Sequence, residues 1–351
     1  MTRSAPSWFS SLLLTAVLLA PAWSQQPAQT QSQPQSQPQS QQQPQPTTTD
    51  QEPIETLKID VGVVNVFFNV KDSRGALVPS LTKNDFQIME EGKPQTIKYF
   101  AAEVDQPLTL GILIDASASQ ERVLPMEKDV GAAFLRGVLR PKDLAFLISF
   151  DVNVDLLHDF TNSAHELNAA MQKVKINTGG GFGGPPGMGG GPIPQARPRG
   201  TLLYDAIFLA ADEKLGREVG RKAMIVLTDG EDQGSQETVK NAIEAAQKAD
   251  AICYVLLIAD RGFYGGFYGG DRAMRELTEQ TGGRMIDVGK NEKKLQEAFD
   301  QIAAELRTQY SIGYTPTNQA HDGSFRRVEI KPAKSGLKVQ ARAGYYAPLS
   351  R

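Results

Sequence analysis

Two rhythms of hydrophobic and polar residues divide this chain. Across residues 106–306 the apolar positions come in short, nearly unbroken runs, at 108–114, 144–150, 223–227, 251–258 and 284–288. Runs of that length bounded by turn-forming residues predict strands covered on both faces. Between them lie stretches that predict helices at 123–139, 202–215 and 291–307. Further helices are expected from Ser163 to about Val174, opened by the capping box Ser163-Ala-His-Glu166, from Ser235 as cap through Lys248, and from Asp271 as cap to Gln280. Residues 152–157 read as a short antiparallel edge. This alternation of strand and helix predicts an α/β domain with a doubly wound, mostly parallel sheet. In such sheets ligands sit beyond the carboxyl ends of the strands, where the strand order reverses.

On either side of that domain the rhythm changes to period two. Val64, Val66, Phe68 and Val70 fall on one face of a strand, and 86–90 and 96–100 follow as two more. After the last helix the alternation resumes at 310–315, 326–330 and 337–342. So few strands at either end make a poor independent sheet. The expectation is that 53–105 and 308–349 close one small all-β sandwich, with 106–306 inserted into it. Two separate β lobes are the alternative.

The first 52 residues belong to neither rhythm. Residues 1–24 carry Arg3, an apolar run from Trp8 to Ala20 and a small-residue segment ending at Ser24, the layout of a secretory signal peptide. The rival is an uncleaved anchor, although the run is short for a membrane span. Residues 25–52 are almost entirely Gln, Pro, Ser and Thr, which cannot bury enough apolar surface to fold, so a disordered tether is expected. An exported, periplasmic or secreted protein follows, with no transmembrane span in the mature chain. The single cysteine, Cys253, lies inside an apolar run and reads as a buried, inert thiol. A formal net charge of −3, with no basic stripe, argues against nucleic acid as a partner.

The candidate chemistry sits at the ends of two of the buried runs. Strand 108–114 leads straight into Asp115-Ala-Ser117-Ala-Ser119, a D-x-S-x-S tail that offers three hard oxygens from one tight loop. Hard oxygens suit Mg²⁺ better than zinc. Alone the pattern is weak, since Asp and Ser also bond their own backbone in turns. Thr201, just before a predicted helix, and Asp229, at the end of strand 223–227, strengthen it. With these in place the central residues resemble a von Willebrand factor type A domain with a complete metal-ion-dependent adhesion site. The resemblance implies that Asp115, Ser117, Ser119, Thr201 and Asp229 form the site. It implies Mg²⁺, with Mn²⁺ or Ca²⁺ as alternatives, bound directly by the three hydroxyls and through water by an aspartate. It also implies that a protein partner completes the coordination with an acidic side chain. In related domains the final helix shifts when the site is occupied; here that helix would feed the sandwich directly and tilt one part against the other.

Two glycine-rich insertions, 179–200 and 261–270, lie near the site's side of the sheet. From them Arg199, Phe263, Tyr264, Phe267 and Tyr268 are candidate partner-contact residues, because aromatics on glycine linkers favour contact surfaces. Two rival readings stand beside adhesion. One is a metal-dependent hydrolase; against it, His158, His165 and His321 adjoin no site motif, and no G-x-S-x-G elbow or P-loop is present. His158 reads as a loop residue, His165 as a solvated helix residue, and Glu231 and Asp232 as solvated loop charges. The other is a structural or assembly module of a cell-envelope complex.

Overall fold

The computed structural model describes residues 62–102, 106–176, 200–258 and 269–349, all within the unit Ile59–Arg351. The predicted leader and tether lie outside the described residues. The chain opens with β1 (Val64–Lys71), β2 (Phe86–Glu90), β3 (Lys93–Gln95) and β4 (Ile97–Ala102). It enters the α/β part at β5 (Leu108–Asp115), followed by α1 (Leu124–Val138), β6 (Leu144–Phe150), β7 (Val154–Thr161), α2 (Ala164–Met171) and α3 (Leu203–Leu209). Then come β8 (Arg221–Thr228), α4 (Val239–Lys248), β9 (Ala251–Leu257), α5 (Gly269–Thr281), β10 (Arg284–Asp287) and α6 (Glu292–Arg307). The last four strands are β11 (Tyr310–Tyr314), β12 (Phe325–Pro332), β13 (Lys338–Ala341) and β14 (Gly344–Tyr346).

The central sheet has six strands in the order β10-β9-β8-β5-β6-β7. All neighbours run parallel except β6 and β7. Every residue of β5 and β9 is buried, as the unbroken apolar runs require of strands covered on both faces. Alternate side chains feed two cores. Leu110, Ile112 and Ile114 pack with Phe134 of α1 and Phe299 of α6, whose rings lie 4.5 Å apart. Leu113, Val226 and Val255 pack on the opposite face with Ile207 of α3, Ala246 of α4 and Leu277 of α5. The chain leaves β5 towards β6 on one side and later returns to β8 on the other, so the order reverses between β5 and β8. In open α/β sheets such a reversal is where ligands sit, beyond the carboxyl ends of the strands.

Strands from both flanks mix in two further sheets, β13-β1-β11-β4 and β14-β12-β2-β3. β1 pairs antiparallel with β11, Val66 opposite Ile312, and β12 pairs antiparallel with β2, Ile330 opposite Ile88. Their inner faces share one core of Val66, Phe68, Phe86, Ile88, Tyr310, Ile312, Tyr314, Val328 and Ile330. The architecture is thus a doubly wound, mostly parallel α/β sheet inserted into an all-β sandwich. One buried side chain marks the junction. Arg221, at the start of β8, donates to the carbonyl of Gln106, where the chain enters the inserted part, and to that of Leu306, where it leaves.

Several expectations need correction. The strand expected at 96–100 is β4, which runs from Ile97 to Ala102; what was not expected is β3 just ahead of it, which belongs to the other sheet, so the chain crosses between sheets at Thr96. The edge at 152–157 extends to Thr161 with register irregularities, so His158 lies on β7 and not in a loop. Helix α3 ends at Leu209 and continues as a wider turn over Ala210–Lys214, which keeps Ala210 and Ala211 in the core. Thr238, not Ser235, caps α4, its side chain accepting from the Asn241 amide. Asp271 sits within the first turn of α5 rather than before it. At α2 the capping box is half made: Ser163 accepts from the Glu166 amide at 3.2 Å, while the Glu166 carboxylate accepts from Thr161.

Candidate metal centre

Asp115 is the last residue of β5, and burial of that whole strand carries its carboxyl group fully out of solvent. Its Oδ1 accepts the Ser117 amide at 2.9 Å, which folds the D-x-S-x-S tail back over the strand end. Its Oδ2 accepts the Thr228 hydroxyl at 2.7 Å. The register between β5 and β8, Ile114 opposite Leu227, makes that second bond possible, since it brings the two strand ends level. Thr228 Oγ1 in turn accepts the Gly230 amide at 3.0 Å, with Gly230 in the left-handed region at φ 87°. The loop after β8 therefore turns sharply and presents Asp229, whose Oδ1 accepts the Glu231 amide at 3.1 Å.

Ser117 is extended and Ala118–Gln120 forms one 3₁₀ turn, a geometry that leaves the Ser117 and Ser119 hydroxyl oxygens 2.9 Å apart. Ser117 is nearly buried and Ser119 is exposed. Thr201 is buried just ahead of α3. Its carbonyl accepts the Gln233 amide at 3.1 Å, and the next amide, Leu202, donates to the Asp151 carbonyl at 2.8 Å. Thr201 is thus tied both to the loop after β8 and to the end of β6.

What holds α3 in place was not read from the sequence. Asp232 and Ser235, three and six residues after Asp229 on the same loop, cap its first turn from outside. Ser235 Oγ accepts the Tyr204 and Asp205 amides, each at 3.1 Å, and donates to Asp232 Oδ1 at 2.6 Å. Asp205 returns the favour by accepting the Gln236 and Glu237 amides at 3.1 and 2.8 Å. Asp232 and Glu231 are half-buried, not the solvated charges expected. The loop and the helix start are stitched into one unit that carries Thr201 and Asp229 together.

The electrostatics of this corner are unfavourable to the bare protein. Burial, reinforced by the neighbouring Asp229 charge, pushes the Asp115 carboxyl up to about 7. Glu231 is raised as well, by its burial and then by Asp229 and Asp271. One further acid was missed altogether. Glu127 on α1 is fully buried, and burial together with Asp115 and Asp229 raises its carboxyl well above the usual range. A signal for it exists in the sequence: it replaces an apolar residue in the stripe Leu124, Gly131, Phe134, Leu135 and Val138.

The donor set fits a hard divalent cation. It consists of oxygens only, it is acidic, and two of its hydroxyls already share a short edge. Among the described residues no three carboxylate, imidazole or thiolate groups converge closely enough to hold an ion, so an ion here depends on the hydroxyls. Arg199, Phe263, Tyr264, Phe267 and Tyr268 lie outside the described residues. His165 is exposed on α2, and the His158 ring contacts the Asp159 carbonyl and lies 3.6 Å from the Glu166 carboxylate. Cys253 is fully buried in β9 with its thiol pushed up to about 12 by burial, which suits a packing residue and not a nucleophile.

No family model matches the sequence, and no curated protein matches it. Solved structures do align with it. The conserved hypothetical protein BatB from Bacteroides thetaiotaomicron is 17% identical over 57% of this chain and 99% of its own, with a TM-score of 0.42. An aerotolerance-related membrane protein from Bacteroides fragilis is 18% identical over 56% of this chain and 99% of its own, at 0.41. Proximal thread matrix protein 1 of the mussel byssus, in a form with a zinc-occupied MIDAS motif, is 14% identical over 61% of this chain and 48% of its own, at 0.45.

Proposed function

We propose that this chain is an exported protein-binding module that captures an acidic group of its partner through a divalent cation. Ser117, Ser119 and Thr201 would hold the ion directly, and Asp115 and Asp229 would hold its waters and orient the hydroxyls. The observation that carries the reading is the 2.9 Å spacing of the Ser117 and Ser119 oxygens beside a buried aspartate at the switch point of the sheet. Adjacent corners of an octahedron at Mg²⁺–oxygen distances lie about 2.8–3.0 Å apart, against about 3.3–3.7 Å at Ca²⁺ distances. The two hydroxyls, hydrogen-bonded to each other at that distance, could turn both oxygens to one Mg²⁺ or Mn²⁺ ion with little movement. With few protein oxygens and exposed Ser119 at the rim, the ion keeps a position open to solvent, where a partner carboxylate can enter.

Binding rather than catalysis is our reading: among the described residues Cys253 is buried within β9, and His158 and His165 lie on β7 and α2. An assembly role in the cell envelope is the second reading, favoured by one observation: α6 passes into β11 with only Thr308 and Gln309 between them, so the binding part and the sandwich are built as one piece. The test is a calorimetric titration of the chain without residues 1–24 using Mg²⁺ and Mn²⁺, beside Asp115→Ala. Saturable binding lost in the variant and reversed by chelator is expected, followed by metal-dependent capture on a carboxylate-bearing peptide surface. A wild type that binds neither ion would overturn the reading.

A further inference from the structure

Glu127 is a fully buried acid with nothing among the described residues to support its charge. It lies in the first turn of α1, on the face that packs against the sheet, and neither of its carboxylate oxygens has a hydrogen-bond partner. The side-chain oxygen of Gln120, one residue beyond Ser119, is also buried and unpartnered. Leaving a buried carboxylate without a donor or a counter-charge costs several kcal/mol. A leucine or methionine would fill the same space on an otherwise apolar stripe at no such cost. The charged groups whose field reaches Glu127 are Asp115 and Asp229, both of its own sign. The chain thus gathers negative charge at one corner and leaves both Glu127 oxygens and the Gln120 oxygen there without a donor, an arrangement complementary to a cation.

Resting on the reading of this corner as a cation site, we propose that Glu127 is a third carboxylate of the centre. It acts on the ion through its charge and by accepting hydrogen bonds from ion-bound water, beside Asp115 and Asp229, while the three hydroxyls remain the direct ligands. It is a positioning residue, consistent with the lack of any three convergent acidic groups among the described residues. Groups that act on a metal through its ligands or waters commonly change affinity by about 10- to 100-fold when removed.

The test compares the wild type with Glu127→Gln by calorimetric titration with MgCl₂ at fixed pH and ionic strength, together with melting curves in EDTA. The expected result is a Kd for Mg²⁺ raised about 10- to 100-fold, with a melting temperature in EDTA equal to or above that of the wild type. Glu127→Leu, which suits the apolar stripe, should behave alike and guards against a failure of the amide variant to fold. A Glu127→Gln protein that binds Mg²⁺ as the wild type does, whatever its melting temperature, overturns the role of Glu127 alone. A wild type that binds no ion overturns the site reading and this proposal with it.

Discussion

Asp115→Asn is expected to stabilise the metal-free protein at alkaline pH, even though it removes a residue of the candidate centre. Burial and the Asp229 charge push the Asp115 carboxyl from its ordinary 3.8 up to about 7 in the fold. Between these values the folded chain keeps a proton that the unfolded chain has lost, so stability falls as pH rises through the window. Below about pH 4 both states are protonated and the penalty is absent; above about pH 7 it is complete. At roughly 1.4 kcal/mol for each pH unit, the penalty is on the order of 4 kcal/mol. Asparagine cannot ionise and escapes it. Its oxygen still accepts the Ser117 amide, but its NH₂ replaces the oxygen that accepts the Thr228 hydroxyl, so one buried proton loses its acceptor. That loss costs about 1 kcal/mol, leaving a net gain of roughly 3 kcal/mol at pH 8. The assay is urea unfolding in EDTA from pH 4.5 to 8.5. The wild-type midpoint should fall across this range, the variant's should fall less, and the two curves should cross. Part of the slope persists in the variant because Glu127 is raised in the same direction. A variant with the full wild-type slope, or one less stable at pH 8, would refute the reasoning. Saturating Mg²⁺ should reverse the order, since only the wild type gains from the ion.

Two other substitutions probe what surrounds the site. Ser235→Ala removes the acceptor for two amides at the start of α3; it should cost about 1–2 kcal/mol in thermal denaturation and weaken Mg²⁺ binding, and unchanged values of both would contradict the cap. Glu305→Ala removes a buried carboxylate held by Lys71 at 2.9 Å and Arg284 at 2.7 Å, joining α6 to β1 and β10. Both cations keep some solvent contact, so the loss should be about 2–4 kcal/mol by urea titration. With that clamp intact, small-angle scattering should give the same profile with and without Mg²⁺; a change would support the tilt of the final helix instead.

The strands that frame the centre were legible because burial on both faces leaves an unbroken apolar run, and both runs end in an aspartate. The sandwich was legible because alternation survives in strands with one wet face, as in β12, whose residues alternate exposed and buried. What could not be read depends on contacts made across the fold. Thr96 looks like part of a strand, and only the positions of two sheets decide that the chain changes layer there. Ser235 lies where a cap for α4 would stand, yet its partners are amides of α3, some thirty residues earlier. β14 is too short to show a period. Glu127 was visible in principle as a charge in an apolar stripe, but nothing local says what the charge faces.

The clamp at Arg221 has a consequence for the order in which the protein folds. β1 can find β11 only across the whole inserted domain, and a closure over so long a stretch is slow when the stretch is unstructured. Once the central sheet forms, Arg221 fastens Gln106 and Leu306 to one guanidinium, and the effective loop between the sandwich halves collapses to a short one. The inserted domain then serves as the folding template for the sandwich that encloses it. Until α6 is complete, β1 and β4 present bare edges, the state most open to pairing with another chain. Releasing that clamp, as Arg221→Met would, should therefore show first as aggregation during refolding.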